Sequence, residues 1–115
     1  MEWGEIELHP EVESWPLSLD RQTAAHVARY IDLLTERGPL LDEPYTRQLR
    51  GKVRELRFRI EGEHWRITYW IASGRRIVLL TVFRKTARQE RSEIDRAERE
   101  MYRCIDEQHS VDEEE

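Results

Sequence analysis

Three strand-like runs rich in apolar residues follow one another through the middle of the chain, and in the first two apolar and polar residues alternate. The runs are Val53–Ile60, His64–Ala72 and Arg76–Phe83. Successive side chains of a β-strand point to opposite faces, so a period of two predicts strands. Gly62 and Gly74 fall between the runs, where tight turns favour glycine. We therefore expect an antiparallel meander of three strands.

The first two runs each have an apolar face and a polar face. The residues on the apolar face are Leu56, Phe58, Ile60, Trp65, Ile67, Tyr69 and Ile71. The residues that alternate with them, on the opposite face, are Glu55, Arg57, Arg59, Arg66, Thr68 and Trp70. The third run is apolar at both parities from Ile77 to Leu80, which is typical of a strand covered on both faces. We expect the third strand to lie inside the sheet.

Helical spacing of apolar residues occurs on either side of these runs. The segment from about Ser18 to Arg37 predicts a helix with Ser18 or Asp20 as its N-cap, and Gly38 followed by proline should end it. A second apolar stripe, from about Ser92 to Asp106, predicts a helix that packs on the sheet.

The remaining segments have weaker patterns. Partial alternation predicts a short first strand within Trp3–His9, and Leu40–Leu49 is expected to be a short irregular or helical piece. The acidic tail His109–Glu115 has one apolar residue, so we expect it to be disordered. A chain of 115 residues suffices for one hydrophobic core, and residues 1–108 are expected to form a single α+β domain.

Charge is strongly segregated along the chain, although the net charge is only −5. Residues 1–45 contain three Lys/Arg and ten Asp/Glu, residues 46–91 thirteen and four, and residues 92–115 three and ten. A basic middle between acidic ends can attract a polyanion to one surface. The alternative is that the basic residues simply form the solvated faces of the strands.

The chain offers little for disulfide, metal or membrane chemistry. Cys104 is the single cysteine, which fits a reducing compartment, and we expect it to be a small buried hydrophobe. The histidines, which lack metal-ligand spacing, are His9, His26, His64 and His109. No apolar run approaches the roughly 18 residues needed to cross a bilayer, and the acidic start lacks the order of a signal peptide. These features predict a cytoplasmic protein without a metal or cofactor.

Several basic residues of the middle segment could converge in an antiparallel meander. They are Arg57, Arg59, Arg66, Arg84, Lys85 and Arg88. Guanidinium groups bind phosphate oxygens in bidentate fashion and stay charged at physiological pH, so such a site suits RNA. Trp70, on the polar parity, could stack on an unpaired base.

A series of short motifs runs between about Asp20 and Ile105. They are Leu49-Arg50-Gly51, Glu55-Leu56-Arg57-Phe58, Gly62, Trp65-Arg66-Ile67-Thr68-Tyr69, Ile77-Val78-Leu79-Leu80, Phe83-Arg84-Lys85 and Glu93-Ile94-Asp95-Arg96-Ala97. In this order and spacing the series resembles the RelE/HigB toxins, especially the phage-derived HigB-like branch. The resemblance implies an α+β RelE-like fold, with N-terminal helices packed on a small antiparallel sheet and a C-terminal helix.

The same resemblance implies a function. These toxins belong to type II toxin–antitoxin systems and cut messenger RNA on the ribosome by attack of a ribose 2′-hydroxyl on the adjacent phosphate, without a metal. It also implies a cognate antitoxin, often a helix-turn-helix DNA-binding protein.

The resemblance further assigns roles to residues. Arg57, Arg66 and Lys85 fall where the family carries its cationic catalytic residues. From the basic residues of the middle segment and from strand parity, rather than from the family, we expect further RNA contacts at Lys52, Arg59, Trp70, Arg84 and Arg88. Arginine stays protonated, so the candidates for proton transfer are Lys85, Glu55 and His64, in that order.

Two other functions remain compatible with the sequence. A non-enzymatic toxin of the same fold could poison another target by binding, as gyrase-directed members do. A plain nucleic-acid-binding phage accessory module would bind in a salt-dependent way without cutting.

Overall fold

The computed structural model describes residues 2–86 and 90–114. In this part of the chain, a five-stranded sheet carries helices on both of its faces. The elements in chain order are β1 (Glu5–Leu8), α1 (Pro10–Ser14), α2 (Arg21–Arg37), β2 (Thr46–Arg50), β3 (Val53–Ile60), β4 (Glu63–Ala72), β5 (Arg76–Arg84) and α3 (Glu90–Glu114). Short 3₁₀ turns follow α1 and α2, at Trp15–Ser18 and Gly38–Leu40. The predicted α+β class is confirmed.

The strands lie in the order β1-β5-β4-β3-β2. Strands β3, β4 and β5 form the predicted antiparallel meander. Strand β2 adds to it by antiparallel pairing with β3, and β1 pairs with β5 in parallel. The third strand of the meander, β5, therefore lies inside the sheet between β1 and β4. Its residues Ile77 to Leu80 are at most 1% exposed, which confirms that both faces of this strand are covered.

Each face of the sheet has its own core. On one face Leu34 of α2 packs with Leu56, Phe58, Ile67 and Tyr69, which are apolar positions of the predicted alternation. On the other face, α3 covers a second cluster. Its buried members are Val53, Trp70, Ala72, Val78, Leu80, Ala97 and Met101. We call these surfaces the α2 face and the α3 face. The alternating positions that the sequence predicts opposite the apolar ones lie on the α3 face, and they are Glu55, Arg57, Arg59, Arg66, Thr68 and Trp70.

Both ends of α2 follow from local chemistry. The carboxylate of Asp20 accepts a hydrogen bond from the backbone N–H of Thr23 at 2.7 Å, which confirms Asp20 as the N-cap. Gly38 ends the helix with φ of 52° and ψ of −126°, a backbone conformation that side chains disfavour. A Cβ atom at Gly38 would lie 2.4 Å from two ring carbons of Trp3.

Gly38→Ala should therefore destabilise the protein by about 2–5 kcal/mol, because it combines a left-handed backbone with overpacking. Gly51→Ala is the matched control. Gly51 also has a positive φ of 54°, but a Cβ there would meet no atom within 4 Å. It should cost only about 1–2 kcal/mol. Urea denaturation of both variants measures the difference, and equal losses would contradict the role of the Trp3 contact.

One predicted element is corrected by the structure. Leu40–Leu49, expected to be irregular or helical, includes all but the last residue of strand β2 at Thr46–Arg50. The strand lies at the sheet edge and has only one apolar residue, Leu49, so it lacks the alternation that predicts strands. Thr46 takes an inward position instead: it is fully buried, and its hydroxyl donates to the carbonyl of Leu41 at 2.7 Å.

The helices also differ from the sequence prediction in extent. The short helix α1 was not predicted, because Val12 is its one buried residue. Helix α3 begins at Glu90, and its backbone stays helical through Glu114, where a disordered acidic tail was expected from His109 onward. Neither glycine nor proline interrupts this segment. Among residues 2–86 and 90–114, no helix has the length and apolar composition that crossing a membrane requires.

Candidate functional site

Strand register brings five of the predicted site residues onto the α3 face at one end of the sheet. Arg57 on β3 lies directly opposite Arg66 on β4, and Arg59 lies opposite His64. Lys85 follows β5, and its backbone N–H donates to the carbonyl of His64 at 2.8 Å. Directly opposed residues in antiparallel strands share a face, with Cβ atoms about 4.5–5.5 Å apart. We call this group, Arg57, Arg59, His64, Arg66 and Lys85, the basic cluster.

A bulge between β4 and β5 decides which residue of the Arg84-Lys85 pair joins the cluster. Thr68 is opposite Thr81 but the next residue, Tyr69, is opposite Leu79, so one extra residue of β5 shifts the alternation. Beyond this bulge Arg84 is opposite Trp65, which places Arg84 with the α2 face. Lys85, one residue later, belongs to the α3 face.

A buried carboxylate lies beneath the cluster. Glu55 and Arg66 are each 3% exposed, and their closest charged atoms, Glu55 Oε1 and Arg66 Nε, are 3.5 Å apart. Arg57 Nε lies 3.8 Å from the same carboxylate oxygen, and the Arg57 side chain is 29% exposed. The carboxylate of Glu55 therefore neutralises part of the charge of Arg57 and Arg66 and attracts both side chains toward the same point on the α3 face.

Burial raises the pKa of Glu55 above its ordinary value, although the charges of Arg66, Arg57 and Lys85 oppose this shift. The folded protein thus binds the Glu55 proton more tightly than the unfolded chain does. The contribution of this proton to the free energy of unfolding is fully present below the ordinary pKa of 4.5. It is lost as the pH rises through the raised pKa of Glu55.

Glu55→Gln removes this titration while keeping the side-chain shape. The free energy of unfolding of the wild type minus that of Glu55→Gln should therefore fall as the pH rises from about 4 to 7, by less than about 1.4 kcal/mol per pH unit. Urea denaturation at several pH values measures this difference. A difference that stays constant or grows with pH would contradict the raised pKa.

His64 provides an uncharged proton acceptor at the rim of the cluster. Its side chain is exposed, and its Nε2 lies 3.3 Å from a terminal nitrogen of Arg59. Partial desolvation, together with the charges of Arg59, Arg66, Lys85 and Arg57, lowers the pKa of His64 below 6.5. At pH 7 the imidazole is therefore neutral and can take up a proton.

The other predicted RNA contacts lie elsewhere. Arg84, on the α2 face, donates to Glu63 at 2.9 Å. Lys52 is in the β2–β3 turn, and at about 3.3 Å per residue it lies roughly 17 Å along β3 from Arg57. Arg88 lies outside the described residues.

Trp70 has the predicted parity but is not accessible. It is 7% exposed and packs with Ala97 and Met101 beneath α3. The expectation that its ring faces RNA is wrong, because α3 covers that part of the sheet. Cys104, on the same helix, is half-buried, and burial raises the pKa of its thiol, which disfavours a nucleophilic role.

The structure adds residues that the sequence reasoning missed. Arg47 on β2 lies opposite Glu55, and its charge acts on Arg66. It was missed because β2 itself was not predicted. A cleft of about 340 Å³ also opens beside the basic cluster. Its lining residues are Tyr30, Pro44, Tyr45, Arg57, Phe58, Arg59, His64 and Arg66.

The side chains of the described residues form no group of three His, Cys, Asp or Glu that could hold a metal ion. Apart from the neutral imidazole of His64, the nitrogens gathered at the site are cationic, so they repel metal ions and attract anions. Chemically, the arrangement can bind a phosphate, stabilise negative charge that develops on it, and accept a proton nearby.

Comparisons with known proteins agree with this architecture. The family model described as phage derived protein Gp49-like (DUF891) matches residues 14–102, a range that includes the whole basic cluster. A mutant of the E. coli toxin RelE in the free state has a similar fold, with a TM-score of 0.57, 16% identity, and coverage of 81% of this chain and 94% of that chain. The toxin–antitoxin complex RelBE2 from Mycobacterium tuberculosis also matches, with a TM-score of 0.54, 18% identity, and coverage of 74% and 100%. No curated protein matches significantly.

Proposed function

The chain belongs to the family of phage-derived Gp49-like proteins and has a RelE-like toxin fold, and we propose that it is the toxin of a type II toxin–antitoxin system that cuts messenger RNA on the ribosome. The observation that carries this proposal is the convergence of Arg57, Arg66 and Lys85 from neighbouring strands on one face of the sheet. A toxin of this fold that poisons a protein target by binding alone does not require three cations around one point.

The reaction proposed is attack of a ribose 2′-hydroxyl on the adjacent phosphorus. The bond from phosphorus to the 5′ oxygen breaks, which leaves a 2′,3′-cyclic phosphate and a 5′-hydroxyl. Negative charge builds up on the phosphoryl oxygens in the transition state, and fixed cations stabilise it. Arg57 and Lys85 are the more accessible cations, and Arg66 adds charge from the wall of the cleft.

Proton transfer is assigned to His64 in this proposal. Glu55 is buried and occupied by Arg66 and Arg57, so its role is to position the arginines. His64 is exposed and neutral at pH 7, which suits a group that takes the proton of the 2′-hydroxyl. The ammonium group of Lys85 can protonate the leaving 5′ oxygen. His64, the third candidate in the sequence-based order, is therefore the base that we propose.

Addition of the purified protein to a translating extract tests the function. We expect fragments of the translated mRNA, and no cutting of the same RNA without ribosomes. In a parallel experiment the protein is expressed in cells. Inhibition of growth while the mRNA stays intact would instead favour a toxin that acts by binding, such as a gyrase poison. Salt-dependent RNA binding without scission would favour an accessory module.

An antitoxin is the proposed partner, since the M. tuberculosis relative was crystallised as a toxin–antitoxin complex. A helix-turn-helix DNA-binding protein with an acidic segment would suit, because acidic side chains complement the basic cluster.

The two lysines of the chain allow a matched test of this contact. Lys85 belongs to the basic cluster, whereas Lys52 lies in the distant β2–β3 turn. Acetylation with a lysine reagent, followed by mass spectrometry, should show Lys85 protected in the complex with the antitoxin and Lys52 labelled equally with and without it. Full labelling of Lys85 in the complex would contradict an antitoxin that covers the cluster.

A further inference from the structure

Two tyrosines border the cleft next to the basic cluster. Tyr45, just before β2, is 38% exposed, and Tyr30 on α2 is half-buried, with its ring centroid 5.7 Å from that of Phe58. The backbone carbonyl of Tyr45 accepts a hydrogen bond from the N–H of Arg57 at 2.8 Å. This backbone hydrogen bond holds the residue that carries an aromatic ring next to the residue that carries a cation of the proposed active site.

The same two tyrosines also border a second cavity. The cleft beside the basic cluster measures about 340 Å³, and its neighbour about 250 Å³. The neighbour is lined by His26, Arg29, Tyr30, Leu33 and Tyr45. Tyr30 and Tyr45 thus lie between a space lined by arginines and a space lined partly by apolar side chains. The larger cleft falls within the range of about 300–1,000 Å³ that is usual for small-ligand sites.

This arrangement places the two chemistries of one nucleotide side by side. Arg57, Arg59 and Arg66 suit the phosphate, and the rings of Tyr30 and Tyr45 suit the flat face of a base. Stacking on aromatic side chains is the usual way in which proteins hold unpaired bases. We propose that Tyr30 and Tyr45 form a stacking subsite for a single-stranded nucleobase whose phosphate binds the basic cluster.

The inference rests on the proposed function and adds to it the way in which RNA is held. Every base has a stacking face, so the subsite accepts different bases and requires only that the base be unpaired. Base pairing would keep the ring stacked in its own helix and out of the cleft. The subsite therefore selects single-stranded RNA by shape, and the neighbouring cations select it by charge.

A short single-stranded 2′-O-methyl oligonucleotide, which lacks the attacking hydroxyl, is the probe for this subsite. Its affinity is measured by fluorescence anisotropy. Tyr45→Ala should weaken binding by about 5- to 150-fold, the range expected for the loss of one stacked base. Tyr45→Phe keeps the ring and should bind within about twofold of the wild type. Tyr102→Ala is the matched control, because Tyr102 is 55% exposed on α3 and does not line the cleft.

An abasic version of the strand separates stacking from other effects. It should bind the wild type and Tyr45→Ala with the same affinity, because no base is present to stack. Equal weakening of the normal and the abasic strands by Tyr45→Ala would overturn the subsite, as would a Tyr45→Phe variant as weak as Tyr45→Ala.

The proposed function is tested separately by mRNA cutting in the translating extract. If the wild type does not bind the oligonucleotide, or Tyr45→Ala binds it normally, while mRNA is still cut, the subsite is wrong and the function stands. If neither binding nor cutting occurs, both proposals fail.

Discussion

Arg57→Ala should lower the rate of mRNA cleavage by about 100- to 1,000-fold, the usual cost of removing one group that stabilises a developing oxyanion. The Arg57 side chain is 29% exposed, so it can reach a bound phosphate. Lys85→Ala should have an effect of similar size, because Lys85 lies on the same face. Both rates are measured in the translating extract at fixed protein and ribosome concentrations.

Arg84→Ala is the matched control for this prediction. Arg84 adjoins Lys85 in sequence but lies on the α2 face in an ion pair with Glu63. Loss of the Arg84 side chain should change the cleavage rate by less than about threefold. Arg84 lies outside the basic cluster, and its exposed ion pair contributes little to the stability of the fold. Equal losses in Arg57→Ala and Arg84→Ala would contradict the assignment of the basic cluster as the catalytic site.

Arg66→Ala is a poorer test than Arg57→Ala. Arg66 and Glu55 are both buried, and removal of one partner leaves the other without its counter-charge. Breaking a buried pair in this way costs about 3–5 kcal/mol of stability. A loss of activity in this variant would therefore combine lost chemistry with lost folding.

His64→Gln should lower the cleavage rate by about 100- to 10,000-fold and also remove the acid limb of the pH profile. The wild-type rate should rise with pH as His64 loses its proton, with a midpoint below pH 6.5, because partial desolvation and the neighbouring cations lower the pKa of His64. Cleavage of a preformed ribosome–mRNA complex, measured between about pH 5 and 8, tests both parts.

His9→Gln is the control for the histidine. His9 lies 3.3 Å from Glu100 of α3, outside the basic cluster, so its variant should keep the acid limb of the wild type. If His64→Gln keeps both the rate and the limb, His64 is not the proton acceptor.

The register of Arg57 and Arg66 was predictable because a two-residue turn determines it. Glu61 and Gly62 both have positive φ, and Ile60 and Glu63 pair directly on either side of them. Such a turn leaves one alignment of the two strands, and simple alternation then places the two arginines on the same face.

The division of roles between Arg84 and Lys85 could not be predicted in the same way. It depends on the bulge opposite Thr68 and Tyr69, where one extra residue reverses the parity of the end of β5. Nothing in the apolar run that forms β5 marks this point, because its residues are apolar at both parities.

The aromatic residues show a second limit of strand patterns. Trp70 was predicted on the correct face, but alternation does not tell where a helix will pack, and α3 covers it. Tyr30 and Tyr45 belong to α2 and to the segment before β2, which are far apart in sequence from the arginines beside them. Only the tertiary fold brings them to the cleft.

The ends of the RNA fragments test the central claim most directly. Attack by the 2′-hydroxyl at the basic cluster predicts fragments with a 5′-hydroxyl, which a polynucleotide kinase labels without prior phosphatase treatment, and with a 2′,3′-cyclic phosphate, which blocks ligation at the 3′ end. Fragments with a 5′-phosphate and a free 3′-hydroxyl would contradict the account.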